Sequence, residues 1–122
     1  MAIKIVYCLR RKPGISREEF QRYWLDEHGP KVKARGEAIG MRRYVQSHAI
    51  ETPLNAAVAS ARGGLEGYDG IMEGWWDSEE QALAALSTLE GQAAGLDLLD
   101  DEGKFIDFDR SPIFMTREHV IY

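Results

Sequence analysis

Residues 3–10, IKIVYCLR, set Ile3, Ile5, Tyr7 and Leu9 against Lys4, Val6, Cys8 and Arg10. This two-residue period, rich in β-branched and aromatic side chains, predicts a first strand. The chain turns at residues 11–14, RKPG, and ISREEF then opens a helix: Ser16 can cap the amide of Glu19, the Glu19 side chain can return to Ser16, and Ile15 and Phe20 flank the box as a hydrophobic staple. Phe20, Tyr23 and Trp24 follow at helical spacing and bury one face. Pro30 has no amide hydrogen to donate, so the helix is expected to break or kink near His28, with Gly29 as the hinge and Pro30 opening a turn that carries Val32 and Ile39.

Residues 41–50, MRRYVQSHAI, read as a second strand and residues 68–77, YDGIMEGWWD, as a third. Between them, Thr52-Pro53 and Gly63 suit a short capped helix in an Ala- and Gly-rich stretch, which is either a lid or pocket wall or a solvated excursion. After the third strand, Asp77 or Ser78 caps a helix with Ala82, Leu83, Leu86 and Leu89 on one side, and Gly91 and Gly95 weaken its continuation. Residues 112–122 form a last strand. The order β-α-β, β-α-β with right-handed crossovers predicts an α+β, ferredoxin-like βαββαβ sandwich in one domain spanning residues 1–122, with two helices on one face of a four-stranded antiparallel sheet. Strands one, three and four carry large apolar residues on both parities, as in Ile5 with Val6 and Trp75 with Trp76, so the uncovered face should be an interaction surface. The expected assembly is a homodimer with the two open sheet faces packed together around a lumen.

Length and composition leave this picture intact. At 122 residues, 44% of them hydrophobic and 29% charged, the chain has room for one modest core. Residues 1–61 hold 11 Lys and Arg against 6 Asp and Glu, whereas residues 62–122 hold 4 against 14. The basic residues are too few and too offset by acids for a nucleic-acid stripe, so no nucleic-acid partner is expected. No apolar run suggests a membrane span and residues 1–10 lack the pattern of a signal peptide, so a cytoplasmic, soluble protein is the expectation. Cys8, the single cysteine, excludes an internal disulfide and reads as a strand core residue.

Three stretches, RKPGISREEFQRYWLDEHGPKV (11–32), RRYVQSH (42–48) and the closing TREHVIY (116–122), resemble an EthD-domain protein of the dimeric α+β barrel superfamily. The resemblance extends over essentially the whole chain. It implies a ferredoxin-like protomer that pairs into a barrel whose lumen binds a small organic molecule. Proteins similar to this one are linked to ether degradation beside a cytochrome P450 system, and others resemble cofactor-free decarboxylases or dehydratases acting on aromatic and polyketide-like substrates. Related muconolactone isomerases share the fold, so the resemblance implies a fold more firmly than a reaction.

Candidate chemistry centres on His28, one helical turn beyond Trp24 and two beyond Phe20, which directs its ring to the buried side. At a helix C-terminus the dipole would favour imidazolium, hence a proton donor; a capping histidine that bonds the last carbonyls is the competing reading. On the second strand Arg42, Tyr44, Gln46, His48 and Ile50 share a face, a mixed polar and aromatic row that suits a ligand pocket or, equally, a solvent-facing edge. Tyr44 can hydrogen-bond a developing enolate or phenolate and His48 can carry a proton. Trp24, Arg42, Gln46, Glu73 and Trp75 are the expected substrate-binding residues, with a tryptophan stacking on an aromatic ligand. Glu118 and His119 read as structural or surface residues. The histidines lack metal-ligand spacing and no dinucleotide-binding glycine motif follows a strand, so neither a metal nor an organic cofactor is expected. The reading is an enzyme that performs decarboxylation, dehydration or isomerisation by general acid/base chemistry, with His28, Tyr44 and His48 as catalytic residues. An oxidoreductase or accessory of an oxygenase system and a non-catalytic ligand carrier are the alternatives.

Overall fold

The computed structural model describes all 122 residues. Strand β1 (Ile3–Leu9) turns its odd-numbered side chains inward: Ile3, Tyr7 and Leu9 are buried. Ser16 then caps α1 (Arg17–Tyr23), accepting the Glu19 amide at 3.1 Å; the return bond from the Glu19 side chain is not formed. The helix does not end at the Gly-Pro pair. It widens into a π turn over Trp24–His28 and continues as α2 (Gly29–Arg35). Pro30 can give no hydrogen bond to the turn behind it, and the Gly29 amide instead reaches back five residues to the Trp24 carbonyl.

Next come β2 (Arg43–His48), α3 (Pro53–Ser60) and β3 (Gly70–Trp76). Thr52 caps α3 through the Leu54 amide at 3.3 Å, as the Thr-Pro pair leads one to expect. Ser78 caps α4 (Glu79–Leu86), and Thr88 caps α5 (Leu89–Glu102), each through the amide three residues on. A short turn at Phe108–Arg110 leads into β4 (Ile113–Thr116).

The strands lie in the order β2-β3-β1-β4 and every neighbouring pair is antiparallel, with Ile5 opposite Gly74 and Met115, and Tyr44 opposite Gly74. This is the ferredoxin-like βαββαβ sandwich expected from the alternation. Helices cover one face, where Tyr7, Leu9, Phe20, Trp24, Phe105 and Ile106 form the largest core cluster. A second cluster joins Val32 and Ile39 to Ala94 and Leu98 of α5, with Tyr44 packed against it. The other face carries Lys4, Val6, Cys8, Val45, Ile71, Glu73, Trp75 and Phe114 and has no helix over it.

Three expectations fail in the second half. Of the stripe expected after β3, only Ala82 is buried, while Leu83 is 61% and Leu89 85% exposed. The chain corners at Ser87-Thr88 and starts a new helix, the longest in the molecule, across the glycines expected to interrupt it. Gly91 is required by that corner: a Cβ there would lie 2.9 Å from the Ala85 carbonyl carbon and closer still to its oxygen. The last strand is also shorter than expected, ending at Thr116, and Val120 and Ile121 are exposed.

Candidate active site

His28 is buried, and its Nδ1 lies 2.7 Å from Oδ2 of Asp101, itself only 1% exposed near the end of α5. Three further donors converge on the other oxygen of that carboxylate: the Tyr23 hydroxyl at 2.5 Å, Lys31 Nζ at 3.0 Å and Lys104 Nζ at 3.3 Å. Burial alone would raise the Asp101 pKa, but the bonds from Tyr23, His28, Lys31 and Lys104 outweigh it and hold the carboxyl well below its usual range. An ionised carboxylate only accepts, so His28 must carry its proton on Nδ1 and leave the Nε2 lone pair free. Burial lowers the His28 pKa more than Asp101 raises it, which keeps the ring neutral at pH 7.

The π turn explains this convergence. Tyr23 and His28 are five residues apart, a spacing that an α-helix would splay but an i→i+5 turn stacks, while His28 and Lys31 follow at the ordinary three. The expectation that His28 rides with Trp24 at a dipole-favoured helix end is therefore corrected. The helix runs on through His28, no carbonyl terminus lies beside it, and the ring is a proton acceptor rather than an imidazolium. It aligns with Tyr23 and Lys31, while Trp24 turns to the sheet.

On the sheet, Gln46 organises the β2 row. Its Nε2 donates to the Trp24 carbonyl at 2.8 Å and to the Tyr44 hydroxyl at 2.9 Å, so its Oε1 accepts from His48 Nε2 at 2.8 Å. Tyr44 thus accepts from Gln46 and retains its own O–H for another acceptor. Burial pushes the Tyr44 pKa up to about 12, so that proton stays in place near neutrality. His48 stacks on Trp24 with ring centroids 4.5 Å apart and planes 17° from parallel, and burial lowers its pKa too. Between α2 and β2 a cleft of about 790 Å³ is lined by Leu25, Val32, Met41, Tyr44, Gln46 and Arg42 among others. His48 lies outside it, in a groove of about 560 Å³ walled by α3.

The predicted residues therefore divide. His28, Trp24, Tyr44, Gln46 and His48 all lie on the helix-covered side, and Arg42 stands at the mouth of the cleft, 3.5 Å from Asp77. Glu73 and Trp75 do not join them. Period-2 geometry in β3 puts both on the open face, where Glu73 pairs with Lys4 at 2.7 Å and the Trp75 indole donates to Glu118 at 2.6 Å. Trp24 is 1% exposed, so it forms the wall behind His48 rather than a surface for a ligand. Sequence reasoning missed Asp101, Lys31 and the pairing role of Tyr23. The available signal was helical: Gly91, Ala94, Leu98 and Asp101 recur at spacings of three and four and form the buried stripe of α5. No group of three or more His, Cys, Asp or Glu side chains is gathered to hold a metal ion. No helix is long and apolar enough to cross a membrane.

A ferredoxin-like sandwich with a buried His–Asp pair under its helices defines the class. Within it the chain belongs to the EthD domain family, whose model matches residues 12–109. An EthD family protein from Bacillus halodurans is 21% identical, with 98% of this chain and 100% of that chain covered at a TM-score of 0.62. A dimeric ferredoxin-like protein of unknown function from Thermobifida fusca is 12% identical over 97% and 92% of the two chains, with a TM-score of 0.59. SnoaB, a cofactor-independent oxygenase from Streptomyces nogalater, is 9% identical over 98% and 96%, with a TM-score of 0.58. No curated protein sequence matches the chain.

Proposed function

We propose that the protein is an enzyme that works without a cofactor, moving protons on a small aromatic or polyketide-like compound held between its helices and sheet. The observation that carries this reading is the buried His28–Asp101 pair. Asp101 fixes the ring tautomer and would stabilise the imidazolium that forms when Nε2 takes a proton, and burial keeps the resting ring neutral. Tyr44, whose hydroxyl accepts from Gln46 and keeps its own proton to donate, polarises the carbonyl or phenol oxygen on which charge develops. The binding space in this proposal is the cleft between α2 and β2, where Leu25, Val32, Met41 and Tyr44 meet the charged Lys33, Glu37, Arg42 and Arg43; His28 is not among its lining residues, so the substrate must pass beyond that lining to reach the ring. His48 is the second proton carrier, with Nδ1 as its available nitrogen because Nε2 is engaged by Gln46. Binding falls to the cleft rather than to Glu73 and Trp75.

The working unit in this proposal is a homodimer joined through the open sheet faces. Val6, Val45, Ile71 and Phe114 lie uncovered there, and the Thermobifida relative is described as dimeric. The likeness to SnoaB supports a second reading, in which the carbanion formed at His28 reacts with O2 instead of being reprotonated.

The test begins with native mass spectrometry of the purified protein to identify a co-purified small molecule. Aromatic and β-dicarbonyl compounds of its class are then followed for proton exchange in D2O by NMR. His28→Ala should abolish exchange while the variant remains folded, and Tyr44→Phe should slow it. Full exchange by folded His28→Ala refutes the mechanism, oxygen uptake supports the second reading, and tight binding without conversion identifies a ligand carrier.

A further inference from the structure

Where β1 leaves the sheet and β3 and β4 enter it, a pocket of about 280 Å³ gathers the side chains of Arg10, Arg11, Lys12, Arg17 and Arg110. Glu66 and Asp69 are the only acids in its wall. Asp69 is buried and accepts the Arg11 amide at 2.8 Å, the Arg11 guanidinium at 2.5 Å and Arg17 Nε at 2.9 Å. One buried carboxylate thus fixes two guanidinium groups in the wall. Arg11 Nε is held further by the Ile15 carbonyl at 3.0 Å, and Arg17 Nη1 by Glu51 at 2.6 Å. Arg10 is fixed by its own contacts: its guanidinium lies 4.3 Å from the centre of the Tyr68 ring and donates to the carbonyls of Gly67 and Glu66 at 3.3 and 3.4 Å. The Nη2 groups of Arg11 and Arg17 have no acceptor in the chain, and the exposed Lys12 and Arg110 side chains form neither an ion pair nor a hydrogen bond. Asp107 and Asp109, which precede Arg110, lie outside the wall and pair with none of these cations.

We infer that this pocket binds the phosphate of a small organic phosphate monoester whose organic part lies in the adjoining groove beside His48. Charge selects the phosphate. Five cations against two carboxylates, with Glu51 outside the wall taking one contact of Arg17, leave a surplus of two positive charges. A phosphate monoester carries a charge of about -1.5 to -2 near pH 7 and offers three acceptor oxygens, whereas a carboxylate would leave half of the surplus unmatched. Guanidinium forks fit those oxygens in pairs, and forks already held by Asp69 lose little further freedom on binding. The phosphate accepts from the spare Nη2 groups of Arg11 and Arg17 and from Lys12 and Arg110 at the rim. The position of the organic part follows from a shared wall: Arg17, Glu66 and Gly67 also line the groove of about 560 Å³ under α3, in which His48 stands with Ile50, Val58 and Leu65. Those apolar side chains cover a small organic group, and His48 has Nδ1 to offer it. Binding makes no use of His28 or of the cleft between α2 and β2, so its failure and that of the proton chemistry are separable.

Inorganic phosphate and phenyl phosphate are the probes, titrated by calorimetry at low ionic strength and about pH 7.5, where both are mainly dianions. Wild type should bind both, and phenyl phosphate about tenfold more tightly because its ring enters the groove. Nitrogen-15 NMR should show the His48 ring signals moving with phenyl phosphate and staying in place with inorganic phosphate. Lys12→Gln combined with Arg110→Gln removes two exposed, unpaired cations from the rim and should weaken both probes about tenfold. Arg22→Gln combined with Arg117→Gln removes the same charge from exposed positions outside the pocket and should keep wild-type affinity. His28→Ala should also bind both probes as wild type does. The inference is overturned if neither probe binds wild type at millimolar concentration, if the Lys12 and Arg110 double variant binds as wild type does, or if the Arg22 and Arg117 variant loses as much, which would reduce the effect to net charge. Inorganic phosphate bound as tightly as phenyl phosphate, with His48 unmoved, overturns the organic ligand and leaves an adventitious ion only.

Discussion

Asp101→Asn keeps the shape of the buried side chain and removes its charge. The two enclosed bonds, from Tyr23 and His28, would each fall from charge-assisted to neutral, a loss of about 1 kcal/mol apiece. Lys31 and Lys104, which are 39% and 56% exposed at the side chain, together add under about 1 kcal/mol because water screens them. The expected destabilisation is therefore about 2–3 kcal/mol, read by urea unfolding near pH 7 at fixed protein concentration with tryptophan fluorescence as the signal. The substitution should also invert the His28 tautomer. An amide NH2 facing Nδ1 requires an acceptor there, so the ring proton moves to Nε2, and nitrogen-15 NMR would record it. Proton exchange on substrate should then fail even in the folded variant. A loss below about 0.5 kcal/mol, or an unchanged tautomer, would refute the reasoning that Asp101 is ionised and holds the ring.

Acid should destabilise the Glu102→Gln variant in two stages; that background removes a carboxyl whose pKa burial raises to about 7 and which would stabilise the wild type as pH falls through the same range. The His28 pKa is lowered in the folded state, so its contribution is present above the unfolded value of about 6.5 and is lost as pH falls through the folded value; Asp101, also lowered, adds a second loss below about pH 4. Thermal melts of the variant across pH should show both stages, and a flat profile between pH 7 and pH 4 would contradict the burial of a neutral His28. Gly91→Ala should cost about 2–4 kcal/mol in chemical denaturation, because its methyl group would meet the Ala85 carbonyl at the α4–α5 corner, whereas Gly95→Ala, with open space at that position, should be neutral or slightly stabilising. Phe114→Asp, on the uncovered sheet face and 51% exposed, should turn a dimer into a monomer by light scattering with little change in circular dichroism; a dimer that persists would move the interface elsewhere.

Where local signals were self-contained, the sequence was enough. Ser16, Thr52 and Ser78 cap the helices their positions announce, and the alternation in IKIVYCLR separates the buried Ile3, Tyr7 and Leu9 from the other parity, where Cys8, expected in the core, is instead half-buried on the open face. The face shared by Tyr44, Gln46 and His48 was also legible, because a strand has only two. What covers that face was not, since which side the helices take depends on the crossovers: Glu73 and Trp75 stand on the open face, where the lumen is expected, and Tyr44, Gln46 and His48 on the helix-covered one. Asp101 escaped because Gly91 and Gly95 are costly in an isolated helix, whereas packing against Val32 and Ile39 and the tight corner at Ala85 make α5 the longest helix here. A tertiary contact outweighed a propensity, and the residue that orients His28 was hidden by it.

The π turn has a consequence for any attempt to improve this protein. Deleting one residue from Leu25–Glu27 would restore a regular ladder of backbone bonds, a change that conventional helix idealisation favours. Each α-helical residue advances the side chains by about 100°, so Tyr23 and His28, then four residues apart, would lie about 40° apart and keep their common face. The same ladder imposed without the deletion would set them about 140° apart, and one of them would lose Asp101. The π turn therefore behaves as an absorbed one-residue insertion, and a shortened helix is a route to a more regular scaffold that leaves the imidazole aimed.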